Sequence, residues 1–303
     1  MNERIKISEF AQALLELAKP IDPFDMPLLD AHGATLASDV YAGERLVMRA
    51  GSRIRSTQIG LAASIGLDHL PTRPHPRVVI LSAGPDLVEP GQTLEADEEF
   101  ETNSWLLTTA VREVGAIGYR VHSIPDDEEE LLAVIEDQLV RADLIVISGE
   151  RNDDSFDLIT RTLQKMGEIT TLDLAIENSG RHNFGQIGPD KTPVVTLPGD
   201  PISAYISFEL FVRPMIRTML GVSTIHRPSV KAKLEKAITS TPGIRSYIRA
   251  ILSEDASSVR ALEIQDEIST LSDANSFIAL GEKDEKIDAG VSVNVVVLER
   301  RYI

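Results

Sequence analysis

The stretch "PVVTLPGDPISAYISFELFVRPMIRTMLG", Pro193 to Gly221, reads as a strand, a tight turn and a long helix. The turn has a mechanical explanation. Gly199 tolerates a tight backbone, Asp200 is a good helix cap, and Pro201 suits the first helical position. It also has a functional one, because a helix N-terminus presents backbone N–H groups to an anion. Asp200 argues against that use, since its carboxylate would occupy those donors and repel a phosphate.

The same grammar extends upstream. "VVILSAG" (Val78–Gly84) and "DLIVISG" (Asp143–Gly149) are apolar on both faces, "YRVHSI" (Tyr119–Ile124) and "ITTLDLAI" (Ile169–Ile176) read as further strands, and Pro189-Asp190 suits a hairpin turn. Helices are expected in "NSWLLTTAVREVG", "PDDEEELLAVIEDQLVRA" and "SFDLITRTLQKMG". The second of these has acids in its first turn, Arg141 assigned to its last turn, and an apolar face of Leu131, Ile135 and Leu139. Strands alternating with helices predict a parallel or mixed sheet covered by helices. Strand order is not readable from this pattern.

Two other textures flank this unit. Before it, "SEFAQALLELAK" places Phe10, Leu14 and Leu17 on one helix face, with Ser8 as cap and Pro20 as stop. "MPLLDAHGATLA" reads as a second short helix and "STQIGLAASIG" as a third, capped by Ser56 or Thr57 and ended by Gly66; "LPTRPHPR" reads as a linker. After Gly221 come short, evenly spaced runs, and Val291, Val293, Val295 and Val297 alternate. That predicts a small all-β barrel or sandwich. The expected divisions are 1–76 for a helical arm, 77–221 for the α/β unit and 222–303 for the β unit.

The 303 residues, 43% apolar, carry a formal charge of -17 and no cysteine. The charge disfavours nucleic acid and anionic membranes as partners and suits solubility. Lack of cysteine excludes disulfides and thiolate chemistry, and fits the cytoplasm. No apolar run of signal-peptide type or of membrane-spanning length is expected. The six histidines, His32, His69, His75, His122, His182 and His226, show no metal-ligand spacing and read as surface or capping residues.

Ligands of open α/β sheets bind beyond the carboxyl ends of the strands. Four loops qualify: "SAGPDLVEPG", "SGERNDDSFD", "ENSGRHNFG" and "LPGDP". Glu150, Asp153, Asp154 and Asp157 gather after one strand. They could hold Mg²⁺ or form a solvated helix start, and their spacing does not match a calcium loop.

These segments, in this order, resemble the molybdopterin molybdenumtransferases of molybdenum-cofactor biosynthesis. The matching stretches are "MPLLDAHGATLASDV", the run from Ala50 through "VVILSAGPDLVEPGQTL", "FETNSWLLTTAVREVGA", "LPGDPISAYISFELFVRPMIRTMLG" and "RPSVKAKL". The resemblance implies a molybdopterin-binding α/β sandwich, an N-terminal helical arm, a C-terminal small β-barrel and a homodimer. It also implies insertion of molybdate into adenylated molybdopterin, with Mg²⁺. Pterin and molybdate are then substrates rather than resident cofactors. Carried over residue by residue, the site comprises Gly84, Asn103, Gly149, Arg181, Gly199, Asp200 and Ser203 for substrate, Glu101 and Asp157 for metal, and Asp157 for catalysis.

Departures from the family pattern are equally specific. The family's inserted domain is missing near 41–43. "TGDEL" is replaced by Ala83-Gly84-Pro85-Asp86-Leu87, and "SGGVSxGDxD" by Ser148 to Asp157. "DSN" is replaced by Glu101-Thr102-Asn103, and "KPGKP" by Glu177-Asn178-Ser179-Gly180-Arg181. Replacing lysine by glutamate near an anion reverses an interaction worth roughly 3 kcal/mol at ~5 Å and an effective dielectric near 20. A non-catalytic paralogue that binds a pterin or a partner is therefore the alternative reading, and on charge grounds alone it outranks the transferase. A different reaction on the same α/β unit, as in nicotinamide-nucleotide amidases, is the third.

Overall fold

A computed structural model describes residues 6–84, 87–96, 98–124, 127–149, 153–263 and 267–298. The chain opens with α1 (Ile7–Leu17), followed by β1 (Phe24–Pro27), β2 (Thr35–Leu36), β3 (Val40–Ala42), β4 (Arg45–Met48), α2 (Ser56–Ser64) and β5 (His69–Arg73). Strands β1, β5 and β2 form a three-stranded antiparallel sheet over its own core of Ala31, Leu36, Met48, Ile54, Ala62 and Leu70.

Several expectations for this region are corrected. Met26–Ala37 is strand, turns and strand rather than helix, because its apolar residues serve a small sheet. The proline-rich linker begins inside β5. Pro71 lies just past the end of β2, where its carbonyl accepts from the Ala37 N–H at 2.8 Å and no donor is required of it. Ser8 does not cap α1; Lys6 stands at the cap without a side-chain bond. Helix α2 starts at Ser56, with Arg55 at its cap. Phe10 and Leu14 are fully buried against the chain's own α/β unit, which removes that face as a reason to expect a second copy there.

The central unit continues with β6 (Arg77–Ala83), β7 (Leu87–Val88), β8 (Glu99–Phe100), α3 (Asn103–Val114), β9 (Ile117–Ile124), α4 (Glu128–Leu139), β10 (Leu144–Ser148), α5 (Asp153–Met166), β11 (Gly167–Asp173), β12 (Arg181–Ile187) and β13 (Thr192–Leu197). The six-stranded sheet has the order β11-β12-β13-β10-β6-β9. Strands β13, β10, β6 and β9 are parallel, while at one edge β12 runs antiparallel to β13 and β11 antiparallel to β12. The sheet is buried on both faces. Val78 and Ile80 pack with α1, α3 and the helix after β13; Val79 and Leu81 pack with α4 and α5. Asp127 caps α4 by accepting from the N–H groups of Glu129 and Glu130 at 2.9 and 3.1 Å. Arg141 lies beyond the end of α4, where it donates to the Gln138 side chain.

The long helix from Pro201 is interrupted. It consists of α6 (Pro201–Ser207), a π-helical turn (Phe208–Val212) and α7 (Arg213–Met219). Pro214 has no N–H, and its ring would crowd the carbonyl four residues back. The ladder slips immediately before it, and the Arg213 N–H donates to the Phe208 carbonyl, five residues earlier.

The C-terminal unit contains β14 (Ser229–Leu234), β15 (Ile238–Thr239), β16 (Ser246–Leu252), β17 (Ser258–Ala261), α8 (Glu267–Asp273), β18 (Ser276–Leu280), β19 (Lys286–Ile287) and β20 (Ser292–Val297). Strands β14-β17-β16-β18-β20 close into a barrel, which leaves no unpaired edge in that sheet. Val293, Val295 and Val297 point inward, whereas Val291 precedes the strand and is exposed. Helix α8 modifies the all-β expectation.

Among the described residues, a pair of backbone bonds joins the barrel to the α/β unit. The Glu177 N–H donates to the Arg245 carbonyl at 2.9 Å, and the Arg245 N–H donates to the Ala175 carbonyl at 2.8 Å.

Candidate functional site

The parallel strands β6, β10 and β13 bring Gly84, Gly149 and Gly199 to one end of the sheet. Asn103, the first residue of α3, ties these ends together. Its Nδ2 donates to Ser148 Oγ and to the Gly199 carbonyl, both at 2.7 Å, and Ser148 Oγ donates to the Pro198 carbonyl at 3.1 Å. The Gly149 N–H reaches the Leu197 carbonyl at 3.3 Å. Asn103 Oδ1 is buried without a hydrogen-bond partner, an acceptor left over at the focus of the three strand ends. Asp200 caps α6 by accepting from the Ser203 N–H at 2.8 Å.

The two carboxylates assigned to metal are in separate surroundings. Glu101 is 2% exposed. Its oxygens accept from the Ser104 N–H at 2.8 Å and from the Ser104 hydroxyl, with the Arg120 guanidinium 3.5 Å away. Arg120 also pairs with Glu89 and stacks over Trp105, 4.3 Å from the ring centroid. Asp157, on α5, is half-exposed and bonded to Arg181 Nη1 at 3.0 Å; the Arg181 guanidinium stacks on Phe156 at 4.3 Å. Among the described residues no group of three or more histidines and carboxylates is gathered to hold a metal ion. Glu101 is committed to a serine and an arginine, and Asp157 to an arginine. These donors do not fit a preformed Mg²⁺ site. Glu150 and the loop position Asp86 lie outside the described residues.

A cavity of about 510 Å³ opens beside the Leu197–Pro201 turn. Asp200 and Ser203 line it from the turn, Glu177 and Asn178 from the preceding loop, and Tyr247 and Arg249 from β16 of the barrel. Asn178 adopts a left-handed φ of 57°, and the loop's base is stitched to the barrel by the Ala175–Arg245–Glu177 bonds described above. Tyr247 and Arg249 escaped the sequence reading. The two-residue spacing puts them on one strand face, which is the signal that could have found them.

His182 corrects the expectation of surface histidines. It is fully buried on β12, between Phe10 and Phe211 at ring distances of 5.6 and 6.4 Å. Its Nδ1–H donates to the Thr196 carbonyl at 2.9 Å, which leaves Nε2 to accept from Ser179 Oγ at 2.7 Å. Burial lowers its pKa from 6.5 to about 4. The ring anchors the Glu177–Arg181 loop from below.

A mixed sheet whose strand-end loops border a cleft, with a closed barrel bonded to one of those loops, defines an α/β protein with an attached β-barrel. Residues 79–218 match the family described as "Probable molybdopterin binding domain", and residues 231–298 match "MoeA C-terminal region (domain IV)". The chain is 32% identical over 269 residues to molybdopterin molybdenumtransferase 1 of Mycobacterium tuberculosis, covering 86% of this chain and 63% of that protein. It is 24% identical over 264 residues to molybdopterin molybdenumtransferase of Bacillus subtilis, covering 86% and 61%. Among solved structures, the molybdopterin biosynthesis MoeA protein from Pyrococcus horikosii shares the fold, with a TM-score of 0.84, 19% identity and coverage of 98% and 100%. This chain belongs to the molybdopterin molybdenumtransferase family of molybdenum-cofactor biosynthesis. It spans under two thirds of the length of the two curated relatives quoted. No helix among the described residues is long and apolar enough to cross a membrane.

Proposed function

We propose that this protein binds a molybdopterin-type ligand during molybdenum-cofactor assembly, in the cleft between the Leu197–Pro201 turn, the Glu177–Arg181 loop and β16 of the barrel. The observation that carries this reading is the cavity of about 510 Å³ beside that turn. Its size suits a fused-ring ligand. Ile202, Ile206 and Leu262 offer apolar wall, and Tyr247 offers a ring for stacking. Arg249 lines the cavity as a cation from the barrel, on the same cleft where Glu177 replaces a family lysine. A guanidinium there suits the ligand's phosphate, whose charge Glu177 would otherwise oppose.

A second reading is molybdate insertion itself, favoured by the 32% identity to a protein named for that activity. The charge arrangement favours binding over insertion. Asp157 and Arg181 neutralise each other, and neither is available without breaking the other's partnership.

Two measurements separate the readings. Calorimetry with molybdopterin should show binding by the wild type, weakened about tenfold or more in Arg249→Ala, as for loss of a charge-assisted bond. No binding to the wild type would refute the proposal. Incubation with adenylated molybdopterin and molybdate, followed by metal analysis of the released pterin, should show no turnover; sustained molybdenum incorporation would establish the second reading.

A further inference from the structure

A second cavity, of about 600 Å³, lies between α3 from Leu106 onward, the π-interrupted helix and α8. It is lined toward Glu113 at the end of α3, while Asn103 and the strand-end loops lie at the helix's beginning. At its base is an unusual charge cluster. Glu209 is nearly buried and both its oxygens are taken by Arg227, through Nε and Nη2 at 2.8 Å each. The remaining Nη1 of Arg227 donates to the Leu298 carbonyl at 2.5 Å. Arg213 is left with a share of the same carboxylate at 3.7 Å, and its buried Nε has no hydrogen-bond acceptor.

The π-helical turn creates this arrangement. Glu209 lies within it and Arg213 follows it directly. Such turns recur at functional sites. The surroundings add positive charge. Arg217 and Arg53 line the adjoining cavity together with Glu113, and Arg53 and Arg227 act on Arg217 as like charges, in a chain whose overall charge is -17. Glu113 is exposed on the rim and water screens it. Burial and then the neighbouring Arg227 lower the Arg213 pKa to about 10, the signature of a cation short of counter-charge. The upper wall is apolar: Leu106 from α3, Ile268 and Leu271 from α8. Ile268 is 43% exposed at the entrance.

We propose that this cavity is a second ligand site, for a small monocarboxylate with an apolar chain. The carboxylate meets the guanidinium of Arg213, and the chain lies along Leu106, Ile268 and Leu271. One cation with incomplete pairing matches one negative charge, and the apolar wall selects against free phosphate. This site is independent of the pterin cleft.

The test uses the whole chain, hexanoate as probe, and 1-hexanol and inorganic phosphate as controls. Hexanoate should bind saturably by calorimetry and raise the melting temperature, with both controls at least about tenfold weaker, the scale of one lost charge-assisted bond. Arg213→Met should lose the hexanoate response. Ile268→Asp, a change at an exposed position outside the core, should lose it too while melting like the wild type. No hexanoate binding to the wild type overturns the proposal, as does equal binding by both variants. Phosphate binding as tightly as hexanoate would also overturn it, since the apolar wall would then play no part.

Discussion

His182 converts a buried neutral ring into a measurable pH dependence. In the folded chain burial holds its pKa at about 4; in the unfolded chain it returns to 6.5. The unfolded state therefore binds a proton first as pH falls. The stability that depends on a neutral His182 is complete above pH 6.5 and drains away between there and about pH 4. At about 1.4 kcal/mol per pKa unit, the loss over that window is roughly 3 kcal/mol, a large share of a typical domain's margin. The perturbation is His182→Gln, which removes the titration while keeping a hydrogen-bonding side chain between Ser179 and Thr196. Urea unfolding of both proteins at intervals from pH 7.5 to pH 4 gives the difference in stability. The change in overall charge of the acidic chain is common to both and cancels. The wild type should lose roughly 3 kcal/mol more than the variant on acidification, with the extra loss beginning near pH 6.5. Parallel curves would refute the reasoning, as would nitrogen chemical shifts showing a protonated His182 imidazolium in the folded protein at pH 5.5.

Glu209→Ala strands Arg213 and Arg227 without their carboxylate, and should cost about 3–5 kcal/mol in urea unfolding, the scale of breaking a buried ion pair. Gly185→Ala places a Cβ 1.9 Å from the Glu168 carbonyl oxygen across the β11–β12 pair. It should destabilise the protein by about 1–3 kcal/mol and speed amide exchange along β11 before the rest of the sheet. Asp157→Asn removes one exposed carboxylate charge beside Arg181, so the melting temperature should shift by an amount worth less than about 1 kcal/mol. Its readout is calorimetric affinity for inorganic phosphate, which should increase at low salt.

The α/β unit was legible because its strands are buried on both faces. "VVIL" and "LIVI" have no alternative to a covered sheet, and the turn between β13 and α6 wrote its own cap in Asp200. The barrel was legible from the valine alternation along β20. The N-terminal sheet was not, because strands of two to five residues are too short to show a period. Helix α8 was hidden among strand-like neighbours. At the site, residue types marked the loops but not their pairings. Nothing local to Glu101 announces that Arg120, on β9, has claimed it, and nothing local to Asp157 announces Arg181. His182 looked ordinary for the same reason, since its burial is imposed by Phe10 and Phe211 from distant parts of the chain.

The paired backbone bonds between Arg245 and residues Ala175 and Glu177 bear on how this protein can be recombined with its relatives. A chimera cut at the junction near residue 225 would treat the barrel as a cassette. Yet the loop that ends at Arg181 is shaped partly by the barrel's main chain, and grafting a barrel with another backbone course at Arg245 would reshape a loop more than fifty residues upstream. Functional swaps should therefore exchange the loop and the barrel together, and a library that shuffles them separately should yield folded but ligand-blind proteins.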